Sequence, residues 1–240
     1  GWYLDTYGSN KVPFLFVLAG FVTFISAICS PKKEKYVHKR SNKKDLLNLF
    51  GNLYFILFII SCSLIQSSHS MYYGFSSIYW KSIGLSGKQI GFLWAWGIVL
   101  EIILFYFIGR IKMDKIYLKL LFFCGIVTSL RWLGTAYYEN FYALMFFQSF
   151  HAFSYGLTHI ITIFYIYNYI PSNLQVTGQS IYYSISMGIM TMLLTLLSGY
   201  IYKHIGFSEG CLLMMIVVFM SLFIIKFLIK LNIKKNYKYE

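Results

Sequence analysis

At 240 residues, 58% hydrophobic and only 12% charged, with apolar runs of about 20 residues, the chain falls in the multi-spanning membrane class and outside the soluble domains. The net charge of +13 does not point to nucleic acid, because the basic residues sit in three clusters, each just outside an apolar stretch. There is no HExxH spacing, nucleophile elbow or phosphate loop, so neither an enzyme nor a metal or cofactor site is expected.

Hydrophobic length predicts spans at Pro13 to Ser30, Phe50 to Ile78, Ile90 to Ile108, Tyr117 to Tyr137, Phe141 to Asn168, Ile181 to Tyr202 and Cys211 to Ile229. The expected fold is therefore an all-α integral membrane protein of seven transmembrane helices. Lys32, Lys33, Lys35, Lys39, Arg40, Lys43 and Lys44 separate the first two spans. Arg110, Lys112, Lys115 and Lys119 join the third to the fourth, and Lys226, Lys230, Lys234, Lys235 and Lys238 mark the end. By parity these clusters share one side, while the opposite loops carry only Lys11, Lys81, Lys88 and Lys203. The positive-inside rule makes the rich side cytoplasmic, with the C-terminus inside and Gly1 outside; the segment from Asn168 to Ser180 shares that side without a Lys or Arg. Pro13 opens a helix, and Pro31 and Pro171 follow one. Cys29, Cys62, Cys124 and Cys211 show no paired spacing and read as small apolar fillers.

The first apolar helix is preceded by no initiator Met, basic n-region or signal-like cleavage site, which predicts further sequence upstream. GWYLDTYG at Gly1 to Gly8 is echoed by GYIYKHIG at Gly199 to Gly206, each followed by an apolar helix. That repeat divides the chain into the last helix of one bundle (1–30), a basic cytoplasmic linker (31–47), a six-helix bundle (48–230) and a basic tail (231–240). Parallel six-helix repeats joined by a cytoplasmic linker are a transporter architecture.

Three ionisable residues stand alone in long apolar stretches: Glu101 in WAWGIVLEIILFYF, Arg131 in GIVTSLRWLGTA and His151 in ALMFFQSFHAFSYGL. Such residues are costly in hydrocarbon and mark a solute or proton route unless they are structural. At ~100° per residue, Gln148, His151, Tyr155, His159 and Thr162 share an arc of roughly 80° on one helix. Gln66, His69, Ser70, Tyr73 and Ser77 form a similar stripe, and Ser180, Ser184, Thr191, Thr195 and Ser198 a weaker one. With ~1.5 Å rise per residue, His69, Glu101, Arg131 and His151 come to one level, roughly 9 to 16 Å below the outer boundary, and His159 lies deeper. Trp94, Gly97 and Glu101 share a face, an aromatic wall beside an acid that suits a ring-bearing substrate. The structural alternatives are a Glu101–Arg131 ion pair pinning two helices and interhelical hydrogen bonds from His69 and His151.

The stretch QSSHSMYYGFSSIYWKSIGLSGKQIGFLWAWGIVLEIILF, Gln66 to Phe105, resembles the seventh and eighth helices of the 3-phenylpropionate:proton symporter family of the major facilitator superfamily. Similar elements follow in order: Arg131-Trp132, then Gln148 and His151 ahead of His159, then SISMG at Ser184 to Gly188. GRIKMDK, from Gly109 to Lys115, is only distantly like that superfamily's loop motif. The resemblance covers nearly the whole chain. It implies twelve helices in the bacterial inner membrane, of which this chain is helix six plus the C-terminal half, its partners being the lipid bilayer and the N-terminal half. It also implies proton-coupled uptake of a small organic substrate. The expected pathway residues are Gln66, His69, Tyr73, Glu101, Arg131, Gln148 and His151, with Trp94, His159 and Ser184 secondary. In that scheme Glu101, alone or with His69 or His151, takes a proton outside, substrate binds, and the neutralised site reorients. A sugar or nucleoside:proton symporter is the alternative within transporters, and a seven-helix receptor the alternative outside them.

Overall fold

The computed structural model describes residues 12–29 and 43–236, and every regular element among them is helical. The first half of the Gly-aromatic echo, most of the basic linker and the last four residues lie outside the described residues. Helix α1 (Val12–Cys29) carries no charged residue, and its side chains at Val17, Phe21, Val22, Phe24 and Ile28 are exposed. After a short α2 (Lys43–Gly51), Asn52 caps α3 (Leu53–Ser67) by accepting the Phe55 N–H at 3.2 Å. A break at Ser68 and His69 separates α3 from α4 (Ser70–Ser82), although the two form one apolar span. Gly84, at φ +93°, makes the turn that follows, and a Ser86/Gln89 capping box starts α5 (Gly87–Ile108).

Helix α6 (Tyr117–Tyr137) comes next, then α7 (Phe141–Gln148), whose first turn is capped by Asn140 on the Ala143 N–H at 2.9 Å. The remaining α-helices are α8 (Thr158–Tyr169), α9 (Gln175–Tyr183), α10 (Thr191–His204) and α11 (Phe207–Asn236). Two stretches are wound as π-helix: Ala152–Leu157 between α7 and α8, and Ser184–Met190 between α9 and α10. The expected continuous α-helix from Phe141 to Asn168 is therefore corrected to a turn at Ser149 and Phe150 followed by a π segment. Hydroxyls help satisfy the widened backbone, Thr158 Oγ1 donating to Phe153 O and Thr191 Oγ1 to Ser186 O.

Among the described residues, five helical stretches are long and apolar enough to cross a membrane: Leu53–Ser82, Gly87–Ile108, Tyr117–Tyr137, Ser172–His204 and Phe207–Leu231. The first and third are mostly buried, whereas Gly87–Ile108 is only 11% buried, so α3, α4 and α6 form the centre and α5 lies outside. Lipid is as apolar as leucine, so close packing rather than water exclusion holds such helices together. Gly125 lets α6 lie against Leu222 of α11, and Gly134 lets it lie against the Phe147 ring.

Candidate functional site

The break between α3 and α4 sets one wall of a buried polar cluster. There the His69 N–H turns to Gln66 O, at 3.2 Å, so Ile65 O loses its helical donor. Ser68 Oγ, at 2.7 Å, and His69 Nδ1, at 3.2 Å, take over that carbonyl. Nδ1 also lies 3.1 Å from Gln66 O. Both neighbours can only accept, so Nδ1 carries the ring proton and Nε2 accepts from Ser154 Oγ at 3.1 Å. Ser68 Oγ in turn accepts the Trp132 indole N–H at 3.0 Å, tying the break to α6.

Arg131 projects from α6 into the centre and is fully buried. Its Nη2 donates to Gln148 Oε1 at 2.6 Å, and its Nη1 donates to His151 Nδ1 and to Ser154 Oγ, each at 3.1 Å. The guanidinium carbon lies 4.7 Å from the ring centroids of both Tyr72 and Trp132. Gln148 Nε2 completes the circle by donating to Tyr72 Oη at 2.7 Å. Arg131 Nε has no hydrogen-bond partner. Neutral acceptors and two ring faces thus stand where a buried cation would ordinarily have a carboxylate.

Glu101 and Arg131 make no direct ion pair; Glu101 Oε2 instead lies 3.7 Å from His151 Nε2. His151 stands between the two. Because Arg131 only donates, His151 Nδ1 is an acceptor, and the neutral imidazole holds its proton on Nε2, facing the carboxylate. Two glycines make the approach possible. A Cβ on Gly97 would come within 3.3 Å of His151, and one on Gly156 within 2.8 Å of Glu101 Cγ. Each helix therefore opens a gap opposite the other's ionisable side chain.

Aromatic rings lead from the surface to this cluster. Tyr73, 44% exposed, stacks on Trp94 at 5.9 Å, and Tyr72 lies 4.5 Å from Trp94 on the inner side. Tyr155 stacks on His151 at 5.3 Å and meets Tyr73 at 6.2 Å. Trp94 is held by its indole N–H on Ser77 Oγ at 2.9 Å.

Residues 1–212 match the model of the MFS_1 like family. The chain belongs to that family. A relative in Escherichia coli (strain K12), named "Probable 3-phenylpropionic acid transporter", is 27% identical over 162 residues, which are 62% of this chain and 39% of the relative. The chain thus spans well under half the length of that curated relative. The resemblance to a major facilitator transporter is borne out, and membership of the MFS_1 like family, with apolar helices, makes this a multi-pass membrane protein and not an enzyme. A seven-helix receptor is not favoured.

Of the residues expected on the pathway, this member of the MFS_1 like family brings His69, Tyr73, Trp94, Glu101, Arg131, Gln148 and His151 into one cluster. Gln66 lies at its edge, donating to Tyr155 O at 3.0 Å. His159 is elsewhere, stacked on Tyr182 at 6.0 Å and 3.4 Å from Tyr183 Oη. The π segment accommodates an extra residue before it and slips the downstream face by roughly 100° from the α-helical arc. Ser184 opens the second π segment and is exposed, whereas Ser198 is buried, so the weak serine-threonine stripe does not survive as one face. The stripe on the first described span is split as well: Ser70 Oγ reaches Thr191 O at 3.3 Å while Tyr73 and Ser77 turn to Trp94.

Sequence reasoning missed Ser154, Tyr72, Trp132 and Ser68 as members of the cluster. Ser154 follows His151 by three residues and is its neighbour on the helix surface, a usable signal. Nothing in the sequence separated Tyr72 from the other tyrosines.

Proposed function

We propose that this chain is part of a secondary active transporter that carries a small organic anion, such as an aromatic carboxylic acid, together with a proton by alternating access. The observation that carries this reading is Arg131, a buried cation ringed by aromatic side chains with no carboxylate beside it. A substrate carboxylate supplies the missing anion, taking the unpaired Nε edge and displacing Gln148 from Nη2. The name of the Escherichia coli relative supports the same substrate class.

Coupling follows from the tautomers. The proton adds to His151 Nδ1, the ring nitrogen without hydrogen, and Glu101, whose side chain is 16% exposed, holds the resulting imidazolium from the Nε2 side. An imidazolium carries hydrogen on both ring nitrogens, so it no longer accepts from Arg131, and Nη1 is released to the incoming anion. Proton and anion therefore favour each other's binding, as symport requires.

Adding α1 and the Phe141–Tyr169 segment to the five long apolar stretches makes seven spans: helix six and the C-terminal six-helix bundle of a twelve-helix protein of the inner membrane. The exposed apolar side chains of α1 suit packing against an N-terminal half. The charge clusters orient the C-terminus to the cytoplasm.

The test is uptake of labelled 3-phenylpropionate, with a sugar and a nucleoside alongside, into proteoliposomes of the full-length transporter with and without an inward proton gradient. Gradient-dependent accumulation of the aromatic acid is expected, and E101Q abolishes it while sparing exchange. Accumulation of the sugar or nucleoside instead discards the substrate class, and unchanged accumulation in E101Q discards the coupling scheme.

A further inference from the structure

A groove of about 390 Å³ runs along the outer face of α5, walled by Trp96, Leu100, Leu104 and Phe107 on one side and by Ala152 and Phe153 on the other. Its lining is almost wholly carbon. The indole N–H of Trp96 is already taken by Ser149 Oγ at 2.9 Å, so that tip offers nothing to a polar ligand. At 1.5 Å per residue, Trp96 to Phe107 spans ~16 Å, close to the hydrocarbon depth of one leaflet, about half of a ~30 Å core. The groove ends where the charge begins. Arg110 lies over the rings of Tyr106 and Phe107, 5.4 and 5.3 Å from their centroids, one turn beyond the last groove residue. Lys112, Lys115 and Lys119 follow, all exposed, with Asp114 the single acid among them and, among the described residues, no ion pair formed by any of the four cations.

We propose that this groove and Arg110 form a binding site for an anionic phospholipid, the acyl chain lying along α5 and the phosphate on the guanidinium. Chain and headgroup are each matched by a separate feature: an apolar slot of leaflet length, and uncompensated cations at one end of it. A zwitterionic lipid fills the slot as well but gains less from the cations. The site lies on the opposite side of the Glu101 helix from the ionisable cluster's aromatic approach and does not depend on the identity of the transported solute. Its walls include Ala152 and Phe153, the two residues after His151, so an occupied groove holds α5 against the segment that carries the imidazole.

The experiment measures tryptophan quenching in the full-length protein, reconstituted in phosphatidylcholine vesicles containing a small fraction of phosphatidylglycerol or phosphatidylcholine brominated on the acyl chain. The difference between wild type and Trp96→Phe isolates the groove's own indole. Brominated phosphatidylglycerol is expected to quench that component at several-fold lower mole fraction than brominated phosphatidylcholine. Arg110→Ala should reduce the preference by about five-fold, the worth of one basic residue at a membrane surface. Leu104→Phe, which fills the slot and leaves the charges in place, should weaken quenching by both lipids. Equal quenching of wild type by the two lipids, a preference that persists in Arg110→Ala, or quenching untouched by Leu104→Phe would each overturn the proposal.

Discussion

Gly156→Ala tests whether the contact between Glu101 and His151 is what couples proton to solute. An alanine Cβ at this position lies 2.8 Å from Glu101 Cγ, 3.1 Å from Oε1 and 3.1 Å from a Phe105 ring carbon. Comfortable carbon contacts are ~3.5–4.0 Å, so something moves. The Gly156 backbone is held where it is by its neighbour Tyr155, whose carbonyl accepts from Gln66 Nε2 at 3.0 Å, and the flexible glutamate is what yields. Overpacking of this kind costs about 1–3 kcal/mol, offset by up to about 1 kcal/mol from replacing glycine in a helix. Stability therefore falls by no more than about 3 kcal/mol. The carboxylate, 3.7 Å from His151 Nε2 in the native arrangement, is displaced to roughly 5 Å. At an effective dielectric constant of about 20, that loses about 1 kcal/mol of interaction with a protonated imidazole, or roughly five-fold. The assay compares gradient-driven accumulation with exchange in proteoliposomes, alongside thermal unfolding in detergent. Accumulation should fall about five-fold with exchange preserved. Gly97→Ala, whose Cβ meets His151 at a milder 3.3 Å, should cost less than half as much. Wild-type accumulation in a well-folded Gly156→Ala protein, or a larger defect in Gly97→Ala, would refute the reasoning.

Ser68→Ala removes the acceptor of the buried Trp132 indole, and should lower unfolding stability by about 1–3 kcal/mol, read as a drop in Tm; no drop would show that the indole finds another acceptor. Gly134→Ala drives a methyl into the Phe147 ring, a rigid neighbour also packed on Tyr138, so a loss of about 1–3 kcal/mol is expected in the same measurement. Arg131→Lys keeps the charge and loses the planar fork that reaches Gln148, His151 and Ser154 together. Substrate affinity, measured by isothermal titration or by exchange at varied concentration, should fall at least ~10-fold, the worth of one charge-assisted hydrogen bond; wild-type affinity in the lysine variant would remove Arg131 from substrate binding.

Hydrophobic length and the placement of Lys and Arg already determine a multi-spanning helical protein, because no water is present in a bilayer to satisfy an unpaired backbone and charge is confined to its edges. The isolation of Glu101, Arg131 and His151 in apolar runs marks them for the same reason: an ionisable group in hydrocarbon needs a partner or a task. Rise per residue even predicts their common depth. What the one-dimensional pattern does not contain is azimuth beyond an irregular turn. At the break, Ser68 and His69 take over the Ile65 carbonyl locally, while the π segment after His151 is met from another helix, by Gln66 on the Tyr155 carbonyl. An α-helical projection therefore carries His159 onto the face of His151, while the wound backbone carries it away to Tyr182. Pairing is decided at the same level. Glu101 and Arg131 have complementary charges in sequence, yet the glycines at Gly97 and Gly156 let α5 close on the imidazole first. Contact between helices is a property of their packing, and only the tertiary structure sets which of two partners lies nearer.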